Sequence, residues 1–299
     1  MNIHSHSGFK KVEDSSIYEN WVERVEKQNG IRYERLSLTT TLGNTTVYVR
    51  PSDAQESLVI FPGFRTSSLF WDLDNGLVEL AKHFRIYLVE TNGQPNTSEG
   101  NTPKIKTLEY GDWALEVLKG LGLSKTHVAG ASFGGTVALK LASVAPEFID
   151  KVILLNPGCL QNFSLKWKNL WLNMLPILSP KRANIVRFLN EIVLCPPTQT
   201  LSNEAFELLV EYQEMALKLW SDKAQKPYGF SIEELQKVKS DVYLLEGEND
   251  LLFPYQKSIE QAKVGLIGLK DVKVLASTGH GIECSKKSMT QILSWLHPN

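Results

Sequence analysis

Three residues far apart in the chain have the types and the order that nucleophilic attack on a carbonyl requires: Ser132, Asp250 and His280. A serine hydroxyl is a weak nucleophile near neutral pH. It needs a base within hydrogen-bond reach and a carboxylate to orient that base. Ser132 sits in Gly130-Ala131-Ser132-Phe133-Gly134-Gly135, after the apolar run Val128-Ala129 and just before a helix-like pattern at 136–145. A strand that turns into a helix over one serine forces that serine into a cramped backbone conformation, with very small residues two positions away on each side. Gly130 and Gly134 meet the demand.

Asp250 follows an apolar run at 242–245, past Gly247 and just before Pro254, which starts a helical pattern. Glu246 and Glu248 lie nearer the strand end and compete for the same role. Of six histidines, His280 is the one in a glycine-rich loop after a late strand, Thr278-Gly279-His280-Gly281. His83 and His297 read as solvated, and His127 begins the elbow strand at the end away from Ser132. An oxyanion that develops during attack needs preorganised donors, usually backbone amides. One is expected from Phe133, directly after the nucleophile. The other is expected from the turn Pro62-Gly63-Phe64-Arg65, with the Phe64 N–H aimed at the reacting centre.

These residues need a scaffold, and the hydrophobic patterning supplies one. An amphipathic helix is expected at 14–28, with Ile17, Trp21, Val22 and Val25 as its apolar stripe and Asn29-Gly30 as its stop. A hairpin at 33–40 and 45–50 follows. Then come a strand at 58–61, a helix ending near His83, a strand at 85–89 and a helix at 108–118. The elbow strand and its helix come next, then a strand at 152–155. Beyond Asn156-Pro157-Gly158 the rhythm breaks into helical stretches at 170–178, 185–193 and 206–219. Strands return at 242–245 and 272–275, and a last helix is expected at 285–296. A hairpin followed by alternating strands and helices implies an α/β fold with a mostly parallel sheet of about eight strands and helices on both faces. The expected organisation is an N-terminal helical extension at 1–30, a core at 31–158 and 237–299, and a helical lid inserted at 159–236.

The bulk composition excludes several other classes. With 299 residues, 42% hydrophobic, 22% charged and a net charge of −1, the chain reads as an ordinary soluble globular protein. That charge offers no field for nucleic acid or an anionic membrane. No segment reaches the roughly 18 apolar residues of a membrane span. Three widely spaced cysteines, Cys159, Cys195 and Cys284, suit free thiols and a cytoplasmic location. The leader lacks the apolar core of a signal peptide. His4 and His6 belong to a polar terminus and are not read as a metal site. No metal or cofactor fingerprint appears.

Together these motifs resemble the α/β-hydrolase superfamily, of the capped kind that includes carboxylesterases, lactonases and carbon–carbon bond hydrolases. The similarity runs from about Tyr33 to Trp295. It rests on Phe61-Pro62-Gly63-Phe64 with Trp71 downstream, the loop Glu90 to Ser98, Gly130 to Gly135, Gly247-Glu248-Asn249-Asp250 and Gly279-His280. Two departures stand out. Pro62 stands where many relatives carry His, and Glu90 stands where relatives often have Asp. The resemblance implies a serine hydrolase with the Ser132–Asp250–His280 triad, acting as a carboxylesterase on a small or medium apolar ester. Lactone, thioester or carbon–carbon bond cleavage are the enzymatic alternatives, and a ligand receptor with the hydrolase fold is the non-enzymatic one. In a capped member the inserted helices lie over the nucleophile. Trp167, Trp171, Leu175, Phe188, Tyr212 and Trp220 are the candidate lining of an apolar pocket, although for any one of them packing of the lid onto the core is the favoured reading. Arg65, beside the oxyanion turn, is the candidate carboxylate anchor.

Overall fold

A computed structural model describes residues 8–11, 14–220 and 227–297; His4 and His6 lie outside the described residues. Eight strands form one sheet: β1 (Glu34–Thr40), β2 (Gly43–Val49), β3 (Glu56–Phe61), β4 (Phe84–Val89), β5 (Thr126–Ala131), β6 (Ile149–Leu155), β7 (Asp241–Gly247) and β8 (Leu269–Leu275). Their spatial order is β1-β2-β4-β3-β5-β6-β7-β8. The hairpin strands β1 and β2 pair antiparallel, and β2 meets β4 antiparallel. All remaining neighbours are parallel. The chain leaves β3 for β4 on one side and then returns to β5 on the other. The strand order therefore reverses between β3 and β5, where Phe61 pairs with Gly130. In an open parallel sheet the crevice beyond the carboxyl ends at such a reversal is where ligands bind.

The central strands are apolar on both faces because both faces are covered. In β3, Leu58 and Ile60 enter one core while Val59 and Phe61 enter the other. The first core is closed by α1 (Ser15–Asn29) and α9 (Lys286–Leu296), through Trp21, Val25, Ile292 and Trp295. The second is closed by α2 (Glu109–Gly120) and α3 (Phe133–Val144), through Trp113, Val117, Val137 and Leu141. Between β6 and β7 the chain forms α4 (Trp167–Leu178), α5 (Arg182–Phe188), a π-helical turn at Leu189–Leu194, α6 (Asn203–Leu219) and the single turn α7 (Ile232–Leu235). Helix α8 (Tyr255–Gly265) lies between β7 and β8.

Local details depart from the periodicity. In α1 the buried stripe is Tyr18, Trp21, Val22 and Val25, whereas Ile17 is 46% exposed. Tyr18 keeps the i, i+3, i+4, i+7 spacing of one helical face, and its hydroxyl lies 3.0 Å from Ser67 Oγ. The helix expected to end near His83 is two 3-10 segments, Ser68–Asn75 and Leu80–Lys82. Asp74 and Asn75 take positive φ values of 57° and 55° and interrupt it. Asp72 is the reason the break holds: it accepts from Tyr33 Oη, Arg50 Nε and the Leu77 amide at 2.6, 2.9 and 3.0 Å. Helix α3 begins at Phe133, three residues before the periodic stretch, because Phe133, Gly134 and Gly135 make its first turn.

Candidate functional site

Ser132 joins β5 to α3 with φ 51° and ψ −113°. For a residue with a Cβ this costs of order 1–3 kcal/mol and persists only where the surroundings enforce it. Here they do. The Ser132 amide donates to Leu155 O at 2.9 Å, and its carbonyl accepts from the Gly135 and Gly158 amides at 3.1 and 2.9 Å. The small neighbours are equally constrained. A Cβ on Gly130 would lie 2.3 Å from the Gly134 carbonyl, and one on Gly134 would lie 2.0 Å from Phe61 O. Gly134→Ala must therefore push β3 away from α3, at an expected cost of about 3 kcal/mol or more. Urea unfolding checks this. A midpoint within error of wild type would mean that the close approach is not enforced.

The turn after β3 faces this serine. A Cβ on Gly63 would stand 3.5 Å from Ser132 Cβ. The Phe64 and Phe133 rings meet edge-on with centroids 6.3 Å apart. Among the described residues, neither the Phe64 nor the Phe133 amide donates to a backbone carbonyl. The turn is held from outside. The Arg65 amide, at positive φ (54°), donates to Gln94 Oε1 at 2.8 Å, and Thr66 Oγ1 donates to Gly63 O at 3.0 Å. The Arg65 guanidinium lies over the Phe64 ring, 5.2 Å from its centroid.

In the loops after β7 and β8, Asp250 and His280 meet: His280 Nδ1 is 2.8 Å from Asp250 Oδ2. The second oxygen, Oδ1, accepts from the Leu252 and Phe253 amides at 2.7 and 3.1 Å, which fixes the carboxylate plane. Of the three acidic candidates, Glu246, Glu248 and Asp250, Asp250 is the one that reaches His280. Glu248 instead accepts from the Ser277 amide at 2.8 Å. Glu246 is fully buried on β7, and burial first, then the Asp250 charge, push its carboxyl well above the ordinary carboxylate range.

Burial alone would lower the His280 pKa, but the Asp250 charge, its hydrogen bond and the Glu283 charge outweigh it and leave the imidazole above its ordinary 6.5. A histidine base works only when neutral, so an activity that uses His280 as its base should fall as pH drops through that raised value. The acid limb of kcat/KM is thus expected above pH 6.5, the unperturbed value. Glu283→Gln deletes one raising charge and should move the limb to lower pH. A limb unmoved in that variant would show that Glu283 does not act on His280.

Two residues that the sequence reading passed over hold these loops together. At the end of β6, Asn156 Nδ2 donates to Gly279 O and His280 O, both at 3.0 Å, and Asn156 Oδ1 accepts from the Gly247 amide at 2.7 Å. One side chain therefore ties the Gly247 end of β7, just before the Asp250 loop, to the loop of His280. Gln199, from the insertion, accepts from the Gly279 amide at 3.0 Å and donates to Gly281 O at 2.6 Å. The π-helical turn adds two more bonds: the His280 and Gly281 amides donate to Ile192 O and Val193 O, each at 2.9 Å. Asn156 carried one sequence signal, a polar residue at a strand end among loop formers; Gln199 carried none.

The candidate pocket residues separate. Phe188 packs on an apolar cluster of Leu172, Ile192, Leu252 and Phe253. Phe253 sets its ring 5.7 Å from the His280 ring, so this cluster borders His280. Trp220 goes elsewhere. It is 4% exposed and meets Phe9 edge-on at 5.1 Å, packing the N-terminal segment. Tyr212 is likewise fully buried, its hydroxyl donating to Pro95 O at 2.8 Å. Trp167 and Trp171 stack on each other on the outer side of α4, 78% and 47% exposed. Among the described residues, no group of three or more His, Cys, Asp or Glu side chains is placed to hold a metal ion.

With this geometry in place, the chain can be compared with known proteins. Residues 56–227 match the family described as alpha/beta hydrolase fold. Carboxylesterase YbfK of Bacillus subtilis (strain 168) is 21% identical over 283 residues, covering 89% of this chain and 88% of that protein. An uncharacterized carboxylesterase of the same organism, nap, is 24% identical over 290 residues, covering 94% of this chain and 91% of its own length. The crystal structure of naproxen esterase from Bacillus subtilis aligns with a TM-score of 0.80 at 20% identity, over 96% of this chain and all of that one.

Proposed function

The chain belongs to the α/β-hydrolase fold family, and from that premise we propose that it is a serine hydrolase, a carboxylesterase acting on small to medium apolar esters. The observation that carries the reading is the 2.8 Å contact between His280 Nδ1 and Asp250 Oδ2, in the loops after β7 and β8, at the same carboxyl end of the parallel sheet as the Ser132 elbow. The carboxylesterase names of the two relatives support the bond type. The apolar cluster beside His280 supports the substrate class.

Asp250 holds the imidazole with Nδ1 protonated, which leaves Nε2 free to take the Ser132 proton as Oγ attacks the ester carbonyl. The oxyanion is held by the Phe64 and Phe133 amides. His280 then returns the proton to the leaving alcohol, and an acyl-Ser132 remains. Water, deprotonated by His280, attacks this ester, and His280 gives that proton to Ser132 Oγ as the acyl–oxygen bond breaks and the acid leaves. The insertion acts as a lid whose bonds from Gln199, Ile192 and Val193 to the His280 loop couple its position to the base. The three cysteines are free thiols, which fits a reducing cytoplasm. Among the described residues, no helix is long and apolar enough to cross a membrane.

The test is turnover. A short-chain p-nitrophenyl ester should be hydrolysed many times per molecule, whereas a ligand receptor with this fold would release at most about one equivalent per chain. Parallel thioester and lactone substrates rank the alternatives, and a higher kcat/KM for either than for the oxyester would overturn the ester assignment.

A further inference from the structure

Helix α4 breaks the rule that a surface helix is apolar on one side only. Its inner side buries Asn169, Leu172 and Pro176, spaced i, i+3, i+7. Its outer side is also apolar: Trp167, Trp171, Met174 and Leu178, spaced i, i+4, i+7, i+11, are 78%, 47%, 41% and 74% exposed. Leu165, just before the helix, is 76% exposed. The tryptophans are stacked on each other, so together they form one continuous face. Soluble monomers rarely leave such a face in water, and its presence marks a contact surface.

The charges around it specify what the contact is. Between Asp150 and Glu191 the chain carries no acidic residue. Lys166 and Lys168 flank Trp167, and Lys181 follows Leu178. All three are exposed and make no ion pair among the described residues. An outward apolar strip with tryptophans at one end and unpaired lysines at its margins has the make-up of a helix that lies in a bilayer interface. There the rings sit among the headgroups, and the lysine stems reach anionic lipid. A second copy of the chain fits this surface poorly, because a two-fold contact sets a patch against itself and would bring lysine against lysine.

We infer that the exposed face of α4 docks this protein on the surface of an anionic lipid bilayer, with α4 lying flat and no segment spanning. The whole-chain charge of −1 conceals this site because the chain's acidic residues lie outside the stretch from 151 to 190. The inference does not depend on the esterase reading, since it concerns binding alone.

Co-sedimentation of the full chain with vesicles tests it. Phosphatidylglycerol-containing vesicles should bind the protein, phosphatidylcholine vesicles far less, and added salt should release it. Lys166→Glu, Lys168→Glu and Lys181→Glu together should weaken partitioning by roughly a hundredfold or more. Trp167→Ser with Trp171→Ser should weaken it by roughly tenfold or more. Thermal unfolding confirms that each variant is folded, and the lysine set, which alters only exposed side chains, keeps the test valid if the tryptophan variant does not fold. Absence of binding, equal binding to both lipids, or binding untouched by these changes would overturn the inference. So would a wild-type dimer by light scattering that the tryptophan variant renders monomeric with no vesicle binding, which would assign the face to a second copy.

Discussion

Ser132→Ala is expected to lower kcat for a p-nitrophenyl ester by about 10⁵-fold or more, with KM changed far less. The alanine keeps the Cβ and can keep the backbone bonds to Leu155, Gly135 and Gly158, so the elbow itself stays in place. Only the hydroxyl oxygen, the proposed site of the acyl intermediate, is lost. The Phe64 and Phe133 amides, the proposed oxyanion donors, remain and should leave a small residual rate over water, because oxyanion stabilisation does not require the nucleophile. A loss smaller than about tenfold would mean that another group performs the attack, since one factor of ten is only about 1.4 kcal/mol of barrier. Circular dichroism and the unfolding midpoint separate this outcome from a damaged fold.

Asp250→Asn should cost about 10⁴ in kcat, and the geometry gives the reason. Asp250 Oδ1 is committed to the Leu252 and Phe253 amides, so an asparagine there keeps its carbonyl oxygen on that side. Its amide nitrogen then faces His280 Nδ1 and donates to it. The imidazole must carry its proton on Nε2, and in that tautomer it cannot accept one from Ser132. A second signature accompanies the loss. Removing the Asp250 charge removes the largest contribution that raises the His280 pKa, so the acid limb of the residual activity should move to lower pH. Glu248→Gln supplies the contrast: its partner is the Ser277 amide, and the change should leave both rate and limb near wild type. A large rate loss in Glu248→Gln with little in Asp250→Asn would transfer the role to the other carboxylate.

The parts of this architecture that could be read from sequence are those that a single local constraint dictates. A serine at a strand-to-helix turn needs glycine on each side, because the backbones of β3, β5 and α3 pass within contact distance there. Residue type alone therefore marks the position. Strand alternation across two buried faces is similarly local, and it shows in β3 as Leu58 and Ile60 against Val59 and Phe61. What the sequence hid is set by partners distant along the chain. Asn156 and Gln199 are polar residues in irregular segments, and nothing near them in sequence discloses that both bind the loop of His280. Trp220 has the type of a pocket residue, yet it packs on Phe9. Tyr18 displaces Ile17 from the buried face of α1 because Ser67 and the aromatic rings of Trp21 and Tyr212 receive it. The 3-10 segments after β3 follow from the hydrogen bonds gathered by Asp72, which no periodicity encodes.

The identity of Ser132 as the attacking residue is tested most directly by covalent capture. A fluorophosphonate probe reacts with a serine only where a base and oxyanion donors activate it, and peptide mass spectrometry then locates the adduct. The expected result is a single adduct on Ser132, absent from Ser132→Ala and formed far more slowly in Asp250→Asn. An adduct on any other residue, or equal labelling of Ser132→Ala, would contradict the assignment of the nucleophile.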